Sequence, residues 1–420
     1  MTLLDRTQAP PFQLSQNYHL TRPEIFQLPG GQKCFVYRGL QQEAVKLELV
    51  FGAGKWFEPK PGVSHFTAQM LSKGTLQRNS FKIAEALDSL GAHLEINPGF
   101  DVVEISLFAL RKNLLASLQV VREILESPTF DESELRLMKD IFLQNLRVNN
   151  EKTNVVASKE IRKVIFGALH PYGNSVEEAE VALVEQDDLR AYFKNNFSLH
   201  SAFLIGHLTD REVEEVIRSV PQSFSNKNQP KLYEVVPGVS HTVTKKNSVQ
   251  TSIRLGKNCI RKGDNPAYFD SLMFNHVLGG FFGSRLMKSI REEKGLTYGI
   301  YSSMHHFLND SFWVIGAEVN QHNTDLAIQE IKNEIKLLQE KPLSGNELDT
   351  ARNYFIGSWQ SENATLFAVA EKMKSLHLWN LGEDYYTKLL SHLQKITPEQ
   401  IQQAANSYFG GNDLFEIRVG

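Results

Sequence analysis

The feature that most restricts the fold of this chain is an internal repeat. Leu90-Gly91-Ala92-His93-Leu94-Glu95-Ile96 returns in outline as Lys294-Gly295-Leu296-Thr297-Tyr298-Gly299-Ile300, 204 residues later. Ser133-Glu134-Leu135 returns as Asn346-Glu347-Leu348 after 213 residues, and the stretch Asp188-Leu189 to Phe197 returns as Gln400-Ile401 to Phe409 after 212. Three matches in one order, with offsets that differ only by a loop length, predict two like units from a duplication. The join is expected at Pro221 to Pro230, a run of Pro, Ser, Asn, Gln and Lys with no apolar periodicity. This divides the chain into a unit over 1–220, a linker over 221–232 and a unit over 233–420.

Each unit reads as α+β. Val45-Lys46-Leu47-Glu48-Leu49-Val50-Phe51 has strand periodicity and ends at Gly52-Ala53-Gly54. Ser80 to Leu90 carries Ile83, Leu87 and Leu90 on one helical face and stops at Gly91. Ala92–Ile96 and Val102–Leu110 read as a hairpin around Asn97-Pro98-Gly99, followed by helices through Leu114–Leu125, Asp131–Asn149 and Asn154–Phe166. The second unit repeats the order, with strands at 249–255, 296–302 and 312–319 and helices at 265–278, 284–293, 326–338 and 347–360. Strand runs interleaved with helix pairs predict two antiparallel-rich sheets, each of α/β-roll type with helices packed on one face.

Composition narrows the function classes. With 420 residues, 22% charged and a net charge of -3, nothing favours nucleic acid or an anionic membrane as partner. There is no run of about 18 apolar residues, and the first sixteen residues lack the apolar core of a signal peptide. Two cysteines, Cys34 and Cys259, suit a reducing compartment, so the expectation is a cytoplasmic protein.

The chemistry turns on Gly62-Val63-Ser64-His65-Phe66-Thr67-Ala68-Gln69-Met70-Leu71-Ser72-Lys73-Gly74-Thr75. Read as a helix, it sets His65 and Gln69 four apart on one face, with Ala68 beside them. The inverted zinc motif H-x-x-E-H has this frame, with two His as ligands and the Glu as general base for the attacking water. Here Ala68 stands where the base would be and Gln69 where the second ligand would be. The stretch resembles the G-L-A-H-F-L-E-H-M-x-F-K-G-T of the insulinase/pitrilysin family of zinc peptidases. The likeness runs over nearly the whole length and is nearest the half-size, two-domain branch that includes mitochondrial processing peptidase. The resemblance implies a third ligand, a Glu on a later helix, and its position falls on Asn145, or on Gln144 in the neighbouring register. Neither amide is a good zinc ligand. Of the four residues implied, only His65 is kept, so no zinc is expected on this chain.

In the second unit, Leu278-Gly279-Gly280-Phe281-Phe282-Gly283-Ser284-Arg285-Leu286 is a glycine-rich turn, and Arg291 and Tyr298 stand seven apart around Gly295-Leu296. The glycine turn lacks the Gly-Lys-Ser/Thr of a phosphate loop. The resemblance implies that the Arg and Tyr of R-x-x-x-G-L-x-Y hold the substrate backbone, and Arg291 and Tyr298 match that pattern. Guanidinium and phenol are donors suited to peptide carbonyls. His305-His306, on a hairpin, is a weaker metal candidate, and Trp359 and Trp379 are candidate interface anchors.

The reading that follows is a zinc-less, non-catalytic subunit of a heterodimeric zinc peptidase. It would be inactive alone, would bind peptides through Arg291 and Tyr298, and would pair with a homologous chain that bears the metal. The alternative is a structural or binding protein of the same fold with no part in proteolysis.

Overall fold

The computed structural model describes residues 7, 20–39, 42–221, 231–246, 248–410 and 413–420. Most of the expected linker, 222–230, lies outside the described residues. The first half runs β1 (Glu24–Gln27), β2 (Lys33–Tyr37), β3 (Ala44–Phe51), α1 (Val63–Met70), α2 (Ser80–Ser89), β4 (His93–Pro98), β5 (Val103–Leu110), α3 (Leu114–Glu126), α4 (Glu132–Glu151), α5 (Thr153–Phe166), α6 (Glu178–Ala182), α7 (Gln186–Asn196), β6 (Leu199–Ile205) and α8 (Asp210–Ser219). The second runs β7 (His241–Val243), β8 (Gln250–Asn258), α9 (Ala267–Asn275), β9 (Thr297–His306), β10 (Ser311–Asn320), α10 (Thr324–Glu340), α11 (Gly345–Glu362), α12 (Leu366–Leu378), α13 (Tyr385–Lys395), α14 (Pro398–Tyr408) and β11 (Phe415–Val419).

The two sheets carry the duplication. Their strand orders are β1-β2-β6-β3-β5-β4 and β7-β11-β8-β10-β9. Dropping β1, the orders correspond strand for strand. Each sheet has one parallel pair, β2 with β6 and β7 with β11, and is otherwise antiparallel. Gly91 and Gly295 hold the same left-handed turn ahead of β4 and β9, at φ 60° and 62°. The helix pair α3–α4 answers α10–α11, and short 3₁₀ turns at Arg111–Asn113 and Gln321–Asn323 lead into both pairs.

The sequence reading begins its strands at Val45 and so misses β1 and β2. The signal was Cys34-Phe35-Val36-Tyr37, a short aromatic and β-branched run that is fully buried. It also missed α8, although Thr209 and Glu212 form a reciprocal capping box ahead of Val213, Val216 and Ile217. Helix 284–293 forms with a wider, π-type winding over Met287–Glu293.

Helices cover the second face of each sheet too, and they come from the opposite half. α5, of the first half, lies on β8 and β11. It sets Ala157, Ile161, Val164 and Ile165 against Phe312, Val314, Ile417 and Val419. Gly256 makes the close approach possible, since a Cβ there would stand 2.6 Å from the Trp313 carbonyl oxygen and 3.4 Å from the Ile161 and Ile165 side chains. In the reciprocal place α12, of the second half, packs on β6. Consequently the apparently polar face of β3 is interior: Lys46 is 9% exposed and Glu48 is 3% exposed. Lys374 of α12, 7% exposed, reaches Glu48 and Glu104 at 2.8 Å each and Glu371 at 2.7 Å. Lys46 completes the array with Glu48 (3.0 Å) and Glu371 (2.7 Å). Five charges therefore join the halves where the strand pattern alone would put water.

Candidate functional site

α1 is held from both ends. Its first N–H groups have no intrahelical partner, and the Glu58 carboxylate accepts from the Gly62 and Ser64 amides at 3.1 and 3.3 Å. Gly62 takes φ 91°, a left-handed conformation that suits glycine. The Ser64 hydroxyl donates to the Ala53 carbonyl (2.9 Å), which also accepts from Tyr192 of α7 (2.9 Å). Val63, Phe66 and Met70 point into the core of the first half. The helix is therefore kept by packing and capping that do not involve metal chemistry.

On its other face His65 is partly buried, and burial pushes the imidazole pKa down. Its ring lies 5.1 Å from Phe142 and 5.5 Å from Phe66. Ala68 is fully buried. The Gln69 amide donates to the Ile96 carbonyl on β4 at 2.9 Å. Phe142 is thus the α4 residue that reaches the His65 ring. Leu135, Met138, Phe142 and Leu146 form the inward stripe of α4, while Gln144 and Asn145 are exposed. No sequence reading singled out Phe142, whose signal is its place in that 3–4 stripe.

These residues do not fit the zinc that the resemblance implies for catalytic members. One imidazole stands against an aromatic ring, an alanine offers no donor, and the glutamine amide is used by the backbone of β4. Zinc sites need three or four His, Cys or carboxylate donors, and among the described residues no such group of three exists. Dialysed protein is expected to carry substoichiometric zinc by atomic emission. Retention of one zinc per chain would overturn this.

The second half places Arg291 and Tyr298 on either side of the Gly295 turn. Arg291 lies in the π-type turn with its guanidinium 4.8 Å from the centre of the Phe282 ring. Tyr298 is the second residue of the sheet-edge strand β9 and is 94% exposed. Thr297 anchors the strand start by donating to the Glu318 carbonyl at 2.6 Å. Lys294 is paired with Glu330 (3.2 Å) and Arg285 with Glu347 (2.8 Å), whereas Arg291 makes no ion pair among the described residues. Arg291 thus has no ion partner among the described residues, and the Tyr298 phenol and the Phe282 ring are both exposed.

The other candidates are absorbed by packing. His306 bonds the Tyr268 hydroxyl (3.1 Å) and the Ser311 hydroxyl (2.8 Å), and His305 stacks on Phe312. The glycine-rich turn lies over Ser302 and leads into the Arg285–Glu347 pair. Trp359 is buried against Tyr386.

Comparison with known proteins bears on this geometry. Residues 35–180 match the model of the insulinase family, peptidase family M16. Residues 184–355 match the peptidase M16 inactive domain. The non-peptidase homolog YmxG of Helicobacter pylori is 23% identical over 88% of this chain and 87% of its own. A probable mitochondrial-processing peptidase subunit beta of Arabidopsis thaliana is 24% identical over 51% of this chain and 41% of its own. Among solved structures, a peptidase M16 inactive domain from Pseudomonas fluorescens superposes with a TM-score of 0.84 at 23% identity, covering 95% of this chain and 98% of that one. The periplasmic protease PqqL of Escherichia coli gives 0.75 at 14% identity, over 99% of this chain and 49% of its own. With both halves matched, the chain belongs to the insulinase (peptidase M16) family, as a half-size, two-domain member whose zinc motif is degenerate.

Proposed function

We propose that this chain is the non-catalytic subunit of a heterodimeric zinc peptidase, with Arg291 and Tyr298 binding the peptide substrate and a homologous partner supplying zinc and base. The observation that carries the reading is the asymmetry between the two halves. The first keeps the α1 frame without its chemistry, while the second presents Arg291, with no ion pair among the described residues, and an exposed Tyr298. Groups left without intramolecular partners on a rim are available to a ligand. The likeness to a chain named as one subunit of a processing peptidase supports an assembly of more than one chain. Free Cys34 and Cys259, with the Cys34 thiol pushed up to about 12 by burial, support a reducing compartment such as the cytoplasm. Among the described residues no helix is long and apolar enough to cross a membrane.

The test is reconstitution. Mixed with a homologous chain bearing H-x-x-E-H, this chain should form a complex and switch on chelator-sensitive cleavage of unfolded peptides that neither has alone. A complex whose partner cleaves equally well without this chain would leave it a structural role only.

A further inference from the structure

The duplication gives the second half its own version of the degenerate zinc site. α9 answers α1 and α11 answers α4, and Phe355 follows Phe142 by the same 213 residues that relate Glu134 to Glu347. In the first half this junction is closed by the His65–Phe142 contact. In the second it is open: α9, α11, α12 and α13 border a cavity of about 440 Å³. Its walls are aromatic, with Tyr268, Tyr354, Trp359, Tyr385 and Tyr386 among the lining residues. Two lysines line it: Lys372 of α12, and Lys262 of the β8–α9 loop.

Lys262 is in an unusual position for a lysine. Its ammonium lies 4.7 Å from the Trp379 ring centre and 5.9 Å from those of Tyr385 and Tyr386. It donates to the Ser375 hydroxyl at 2.5 Å, and Tyr385 holds its backbone by donating to the Lys262 carbonyl (3.1 Å). No carboxylate lies within ion-pair distance of it among the described residues. Burial, and then the nearby Lys372, push its pKa down to about 8. Of the other charged groups lining the cavity, Lys372 and Glu362 face each other at 3.7 Å. Burial holds His276 down to about 4, so it stays neutral. The net charge of the lining is therefore one positive, and it belongs to a desolvated ammonium with donors to spare. A partly buried charge without a counter-ion is costly in proportion to its loss of water, and aromatic walls with a charged anchor are the usual composition of a small-molecule site.

We propose that this cavity binds a small aromatic monocarboxylate, of the size of one aromatic amino-acid side chain, with its carboxylate on Lys262 and its ring between Tyr354 and Tyr386. Charge complementarity selects the acid over the corresponding amine or alcohol. The ring replaces water against aromatic faces, and the carboxylate supplies the missing counter-ion.

The probe is 3-phenylpropionate, followed by calorimetry and by fluorescence of Trp359 and Trp379 on the full chain. Saturable binding is expected. The alcohol 3-phenylpropanol should bind at least about tenfold more weakly, because it lacks the charge-assisted hydrogen bond. Affinity for the acid should fall as pH rises through about 8, where Lys262 loses its proton. Lys262→Met should weaken the acid at least about tenfold and raise the thermal midpoint, since it removes a partly buried charge that has no counter-ion. That rise separates a lost ligand contact from misfolding. Tyr354→Ala, at a half-exposed wall position, should weaken acid and alcohol alike. The proposal fails if the acid does not saturate, if acid and alcohol bind equally, or if Lys262→Met binds the acid as the native chain does.

Discussion

Lys374→Met is expected to destabilise the protein by about 3 kcal/mol, the lower end of the cost of breaking a buried ion pair. The reason lies in what is left behind. Glu48 is 3% exposed and accepts from Lys374 at 2.8 Å. Without Lys374 it keeps, among the described residues, Lys46 (3.0 Å) and a long contact from the Ser106 hydroxyl (3.4 Å). Glu104 and Glu371 also lose a partner, but their side chains are more exposed, so water recovers part of that loss. A loss of this size lowers the folding equilibrium constant by roughly a hundredfold, since about 1.4 kcal/mol is a factor of ten. Denaturant unfolding measures it directly. Adding Glu48→Gln to Lys374→Met should restore part of the stability, because the stranded charge is then gone. A Lys374→Met variant within about 0.5 kcal/mol of the native chain, the usual range for a surface change, would show that the array contributes little.

The same array sets a pH window. Burial works against the Lys374 ammonium, but Glu48, Glu104 and Glu371 outweigh it and hold its pKa above the ordinary lysine value. A raised lysine contributes stability below its unfolded pKa of about 10.4, and that contribution is lost as pH rises through the folded value. Glu371 runs the other way. Burial would raise it, yet Lys374 and Lys46 hold it below the usual range. Its contribution is present above about pH 4.3 and is lost as pH falls. The contribution of this array should therefore be flat between about pH 5 and pH 10 and fall on both sides. In Lys374→Met the alkaline fall from this site should vanish.

In a reconstituted pair, Arg291→Ala is expected to lower turnover efficiency by roughly ten- to a hundredfold. A hydrogen bond from a charged donor is worth about 1.5–3 kcal/mol, and each 1.36 kcal/mol off the barrier is about tenfold. Tyr298→Phe keeps the ring and loses the hydroxyl, so the fall should be about tenfold. Neither change opens the core: Tyr298 is almost fully exposed and Arg291 rests on the exposed Phe282 ring. Both variants should fold and still meet the partner, which gel filtration of the pair would check. Unchanged peptide cleavage in the Arg291→Ala/Tyr298→Phe double variant would remove the substrate-binding role. The surface that meets the partner would then carry the function.

Much of this protein could be read from the order of its residues. Duplication, sheet class and the helices around each hairpin follow from local patterns and from glycine turns such as Gly91 and Gly295, which are properties of short segments, whereas α8, α12 and α13 are not read. The loss of zinc chemistry was legible for a different reason. Metal binding and general-base catalysis require specific side-chain types, and Ala68 and Gln69 are the wrong ones whatever surrounds them.

What only the tertiary structure decided concerns faces and neighbours. The alternation in Val45–Phe51 marks a strand, but no local pattern says that its polar side meets α12. Lys374 lies 326 residues from Glu48. The exchange of α5 and α12 between the halves turns that side into interior, and Lys46 and Glu48 then need partners rather than water. The neighbour of His65 was likewise set by the rotation of α4, whose inward stripe brings up Phe142 and leaves Asn145 outside. The Lys262 cavity exists because four helices scattered between 267 and 395 leave a gap that their individual periodicities do not describe. Sequence constrains which residues share a face of one element. Which face finds water, and which finds another element, is settled only when distant segments pack.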